Sequence, residues 1–214
     1  MVEAMLDNPI FCGLAVLFTL LFLVNIGSFI KIFPVMTASV WRWKNDLELE
    51  DSLQLSRSRN TVAAVLLVPL CMVVYSYDLY SPDFLDRFSP ILRFAAVTGV
   101  MFLYLLLRAF LNWQLEMHNY GSKAFVAANR SFFNYCIMLF FLLFLTGAAV
   151  NALTGDAERT RTVLLYVTGV SYVFYIMRRG QIFASACNPF STFLYLCGLE
   201  LIPTLALVIS ARLL

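Results

Sequence analysis

Residues 8–30 read NPIFCGLAVLFTLLFLVNIGSFI, a run without a single charged side chain. About twenty apolar residues make a helix long enough to cross a hydrocarbon core of roughly 30 Å. A membrane β-strand would instead alternate polar and apolar residues over about ten positions. The run is apolar on every face, and in lipid such a segment satisfies its own backbone only as a helix. Five further blocks of the same character follow, at residues 60–77, 91–113, 131–154, 159–178 and 190–210. The chain is therefore predicted to be an all-α polytopic membrane bundle of six transmembrane helices. Residues 1–214 form one membrane domain, with no soluble domain.

Composition agrees with that reading. Of 214 residues, 61% are apolar and 13% charged, against about half and a quarter in a soluble domain. A net charge of +2 with dispersed basic residues excludes nucleic acid as a partner. The cysteines Cys12, Cys71, Cys136, Cys187 and Cys197 are odd in number and lack a CxxC spacing, which argues against a disulfide framework. With His118 as the single histidine, no metal site is expected, and no cofactor. Glu3 and Asp7 precede the first block where a secretory signal would carry basic residues, so that block is expected to be a retained span. The chain is expected to end directly on the sixth span, with no tail domain.

The fifth block is the shortest, uncharged only from Thr162 to Met177. It reaches a full span if Arg161 and Arg178 snorkel to the interfaces. Pro69 is expected to kink the second span. The longest connection is expected at residues 34–59, with Trp41 and Trp43 as an interfacial anchor and an acidic cluster of Asp46, Glu48, Glu50 and Asp51. The plain reading of that cluster is a solvated loop; the sharper one is a docking surface for a cytoplasmic protein. Residues 119–121 are expected to turn, with Ser122 capping the next helix. No inverted repeat of three plus three spans is visible.

The loops after the first, third and fifth spans hold Lys31, Arg42, Lys44, Arg57, Arg59, Arg108, Lys123, Arg130, Arg178 and Arg179. The other side holds Arg87, Arg93, Arg159, Arg161 and Arg212. Ten basic residues against five place the odd loops in the cytoplasm and both termini outside.

Glu200 is the only carboxylate at the middle of an apolar block. An ionisable side chain at that depth faces the bundle interior, paired or protonated. Depth counting at about 1.5 Å per residue sets Tyr104 of the third span at nearly its level, with Arg108 one turn away on the same face and Asn112 a turn beyond. Tyr104, Arg108 and Glu200 are thus the candidate buried polar site, either a joint between helices or a proton or substrate site. If Arg108 is the partner, Glu200 stays ionised; if only Tyr104 reaches, desolvation favours the protonated acid. Pro203 frees backbone carbonyls near Glu200, as in the broken helices of transporters, or is a plain kink. A second polar set comprises Asn25, Lys31, Asn134, Tyr175, Arg178 and Arg179. Of these, Arg178, Arg179 and Lys31 are candidate contacts for anionic lipid head groups, although basic residues at cytoplasmic helix ends are also the default.

No catalytic set is expected. Gly169-Val-Ser171 resembles the serine of an intramembrane protease, but His118 lies outside the spans. Tyr77-Asp78 with Gly155-Asp156 resembles an aspartyl pair, yet both aspartates fall at helix ends. There is no HExxH, P-loop or GxGxxG. Ala95 and Gly99 form a small-xxx-small pair that would let another helix approach closely. The readings left are a non-enzymatic membrane component acting through protein or lipid partners, in which a homo-oligomer is compatible, and a small, proton-coupled transporter using Glu200.

Arg178-Arg179-Gly180, followed by Phe193 to Gly198 and then Leu199-Glu200-Leu201-Ile202-Pro203, resembles the end of a Bacteroidota integral membrane family, the domain of unknown function 4271. The specific part covers about 26 residues. The resemblance implies a bacterial inner-membrane protein and singles out Arg178, Arg179, Glu200 and Pro203. It implies no mechanism.

Overall fold

The computed structural model describes residues 9–41, 52–118, 123–185 and 188–213. Among them the fold is all-α: α1 (Pro9–Trp41), α2 (Leu53–Ser76), a 3-10 turn (Asp83–Arg87), α3 (Pro90–His118), α4 (Lys123–Thr154), α5 (Ala157–Ala184), α6 (Pro189–Leu196), a π turn (Cys197–Leu201) and α7 (Ile202–Leu213). Six stretches are long and apolar enough to cross a membrane; the last of them, Pro189–Ala211, combines α6, the π turn and α7. Burial is inverted relative to a soluble protein. Val24, Leu153 and Val170 are 82%, 85% and 71% exposed, while Arg59, Arg179 and Glu200 are at most 1% exposed. The chain is a multi-pass membrane bundle.

Every helix outruns its predicted block, because the apolar count sees only the lipid-embedded part. The largest departure concerns the connection expected at residues 34–59. There α1 continues through Pro34 to Trp41, and α2 already begins at Leu53. The turn after the proline is held by packing: Ile32 and Met36 are buried against Val62, Ala63 and Leu66 of α2. Thr37 Oγ1 donates to the carbonyls of Phe33 and Pro34 at 3.1 and 3.0 Å. The acidic cluster, Trp43, the turn at residues 119–121 and the Ser122 cap lie outside the described residues. The span expected to be shortest, α5, is 28 residues long and exceeds Gln54–Ser76, Pro90–Gln114 and Pro189–Ala211, at 23, 25 and 23 residues, because its charged ends are helical too. His118, expected in a loop, closes α3.

The helix starts follow local chemistry. Ser52 caps α2 by accepting from Leu55 N. Asp156 caps α5 by accepting from the backbone N–H groups of Glu158 and Arg159, a charge well placed against a helix N-terminus. Gly155, at φ 61°, makes the sharp reversal from α4 into α5. These two helices make the most extensive pairing in the bundle. A Cβ at Gly147 of α4 would lie 3.0 Å from the Tyr77 ring, so the glycine admits that ring. In contrast, nothing lies within 4 Å of a Cβ built on Gly99, and Ala95 is exposed. The expected close approach at Ala95 and Gly99 is not used within the chain.

Candidate functional site

The π turn places Glu200 in the middle of the sixth span. Ile202 N bonds Cys197 O across five residues, and Pro203, lacking an N–H, follows at once. The Glu200 carbonyl accepts the Tyr172 hydroxyl of α5 at 3.0 Å. The Glu200 side chain is fully buried.

Two arginines share one of its oxygens. Arg108 of α3 donates to Oε1 from Nε at 3.1 Å and from its terminal nitrogen Nη2 at 2.7 Å. Arg179 of α5 donates to the same Oε1 from Nη1. The two guanidiniums also converge on the Tyr175 hydroxyl oxygen, at 2.5 Å from Arg108 and 2.7 Å from Arg179. Arg179 further donates to Asn112 Oδ1 at 3.0 Å, and Asn112 Nδ2 donates to the Arg108 carbonyl at 2.8 Å. Rings close the cluster: the Arg108 guanidinium carbon lies 3.4 Å from the Phe132 ring centre, that of Arg179 5.3 Å from Phe183, and Tyr135 stacks on Tyr175 at 4.7 Å. Three elements meet here, α3, α5 and the π turn, and α4 supplies Phe132 and Tyr135.

Of the predicted polar site, the fold brings Arg108 and Glu200 together. Tyr104 does not bond Glu200; its hydroxyl pairs with Thr204 Oγ1 at 3.3 Å, one turn further along. Arg179 must be moved out of the predicted lipid-contact set. It is 1% exposed and committed to Glu200, so no head group reaches it. Arg178 lines a lateral groove of about 350 Å³ between α4 and α5, with Ser131, Asn134 and Ser171. Its guanidinium bonds Gln181 Oε1 at 3.0 Å and lies over Phe174. Lys31 is exposed on α1, apart from this groove. Arg108, counted above as a residue of a loop end, lies inside the span Pro90–Gln114. By the same criterion Lys31, Arg57, Arg59, Arg130, Arg178 and Arg179, and Arg93, Arg159 and Arg161 of the other side, also fall within spans, which leaves Arg42, Lys44 and Lys123 against Arg87 and Arg212.

Sequence reasoning missed the Arg179–Tyr175 half of the site. Its signal was the four-residue spacing, which puts both on one face of α5. It also missed a second ionic set at the end where α2 stops and α5 starts. Asp78 pairs with Arg93 at 2.6 Å and with Arg161 at 3.9 Å. Asp78 and Asp156 thus have structural partners, one in an ion pair and one in a helix cap. Among the described residues no group of three His, Cys, Asp or Glu side chains is close enough to hold a metal ion. The chain finds no match among family models, curated proteins or solved structures.

Proposed function

We propose that the chain is a non-enzymatic component of a bacterial inner membrane that acts through protein and lipid partners. In this reading the Arg108–Glu200–Arg179 cluster is the joint that keeps α3, α5 and the sixth span in one arrangement. The observation that carries it is the burial of Glu200: the side chain is 0% exposed, one of its oxygens holds both guanidiniums, and the other is enclosed with no partner among the described residues. A carboxylate that exchanges protons or receives a substrate needs a path to water. The bacterial inner-membrane assignment, within the Bacteroidota, rests on the likeness of about 26 residues, 178–203, to the family named above. Periplasmic termini are assigned from the count of ten basic residues against five at the loops and span ends. Protein contact is assigned to residues 34–59, and lipid head-group contact to Arg178 and Lys31.

Reporter fusions test the orientation: a fusion after Leu214 should report periplasm and one at Glu50 cytoplasm. The reverse pattern would invert the assignment. For the partner reading, purification in mild detergent with crosslinking should recover a stoichiometric assembly that is lost when residues 46–51 are deleted. A monomer from both chains would sink it.

One observation favours a second reading, a small transporter. A cavity between α2, α3, α4, α5 and α7 descends to Tyr104, Tyr172 and Thr204, one layer from Glu200. Proteoliposomes with a trapped pH dye separate the two. The joint predicts no proton flux above protein-free vesicles, and a flux would install the transporter.

A further inference from the structure

The cavity has two ends of opposite character. Its inner part, about 330 Å³, is walled by apolar side chains such as Leu67, Leu70, Met101, Leu105 and Leu207, and its floor is Tyr104, Tyr172 and Thr204. Its outer part, about 830 Å³, has a polar mouth of Asp78, Ser81, Glu158, Arg161 and Thr162. The two are continuous, since Leu70, Met101, Thr168, Leu207 and Val208 line both. Each falls in the range of about 300–1,000 Å³ typical of ligand sites.

The depth suits one ligand class. From Thr162 at the mouth to Tyr172 at the floor is ten residues of α5, about 15 Å at 1.5 Å per residue. That is half of a hydrocarbon core of roughly 30 Å, the thickness filled by the chains of one leaflet. At the floor the Tyr104 and Thr204 hydroxyls pair with each other and Tyr172 donates to the Glu200 carbonyl, which leaves a mainly apolar surface for a chain end.

The mouth decides the head group. Arg161 donates to Ser81 Oγ at 3.0 Å and faces Asp78 at 3.9 Å, yet its buried Nε has no partner. One turn away on the same helix, Glu158 lines the same mouth and is exposed. Among the described residues its carboxylate makes no hydrogen bond or ion pair. Asp78, the other acid here, is already taken by Arg93. The mouth therefore holds the 43% exposed Arg161 side chain, whose facing carboxylate Asp78 lies 3.9 Å away and is bonded more closely by Arg93, beside the exposed carboxylate of Glu158. That pattern complements a phosphate next to a primary ammonium.

We propose that this cavity binds one phospholipid with a phosphoethanolamine head, its phosphate on Arg161, its ammonium on Glu158 and an acyl chain in the chamber floored by Tyr104, Tyr172 and Thr204. The cavity shares Phe132 and Tyr135 with the wall of the arginine–glutamate joint, but its mouth at Arg161 and Glu158 uses none of the joint's charged groups, so lipid binding there stands whether or not that joint is the functional centre.

The test titrates the delipidated full-length chain in detergent with phosphatidylethanolamine and, separately, phosphatidylglycerol, read by native mass spectrometry. Phosphatidylethanolamine should add once per chain, about tenfold more tightly than phosphatidylglycerol, since a tenfold preference corresponds to a single charge-assisted contact. Glu158→Gln, a surface change, should erase that preference and leave the lipid-free melting temperature unchanged. Met101→Trp should fill the chamber and abolish the adduct. Equal binding of the two lipids, an adduct that survives Met101→Trp, or no adduct at all would overturn the proposal.

Discussion

Glu200→Gln should lower stability by about 3–5 kcal/mol, the cost of leaving buried charges without their counter-ion. The amide keeps the shape and one acceptor oxygen but removes the negative charge. Arg108 and Arg179, at 3% and 1% exposure, would then face each other across a neutral group, with Tyr175 bonding to both and no anion between them. Neither arginine sheds its proton in a protein. A water-filled site would soften the loss through screening, but Glu200 has no exposed surface through which water enters. Thermal unfolding in one detergent, followed by tryptophan fluorescence or by aggregation, reads the difference. Tyr104→Phe is the matched control. Its hydroxyl meets Thr204 and not Glu200, so it should cost only about 1 kcal/mol, the net worth of a neutral hydrogen bond. If the two variants melt together, the carboxylate does not neutralise the arginines.

The same cluster shows what the sequence carried and what it hid. Glu200 was legible because a carboxylate in the middle of an uncharged block has one physical explanation, an interior partner. Arg108 was legible because depth along two antiparallel helices can be counted at a fixed rise. Arg179 was not. It stands beside Arg178 at the end of an apolar block, where basic residues are the default, and only the rotation of α5 sends one inward and the other to the lateral groove. Tyr104 shows the limit of depth counting, which is good only to about one turn. Arg108 stands at the level of Glu200, and Tyr104, four residues away on the same face, stands one turn off and meets Thr204. The six spans were readable because each block saturates the lipid thickness. The passage of α1 beyond Pro34 was not, because it depends on Met36 finding a slot against Val62 and Ala63. That contact is a tertiary one, and no local pattern announces it.

Replacing the whole cluster with apolar residues should recover most of what the single change loses. The combined variant Arg108→Met, Glu200→Met, Arg179→Met and Tyr175→Phe should lie within about 2 kcal/mol of the parent chain, well above Glu200→Gln. Ion pairs in a low-dielectric interior repay their desolvation only partly, and well-packed apolar substitutes of similar volume often match them. The surroundings suit the change. Phe132, Tyr135 and Phe183 already wall the site, so methionine stems would pack on rings that the guanidiniums now cover. Tyr175 is included because its hydroxyl would otherwise be buried without either donor. Asn112 Nδ2 keeps its bond to the backbone carbonyl at position 108, and Tyr172 still holds the carbonyl at position 200, while Asn112 Oδ1 loses its Arg179 donor, a cost included in the margin of about 2 kcal/mol. If the cluster is only a joint, this variant also crosslinks into the same assembly as the parent. Recovery of the melting temperature with loss of the assembly would show that the charges are read by a partner. Failure to recover either would mean that the ion pairs specify how α3, α5 and the sixth span meet, because apolar faces alone would let them rotate past one another.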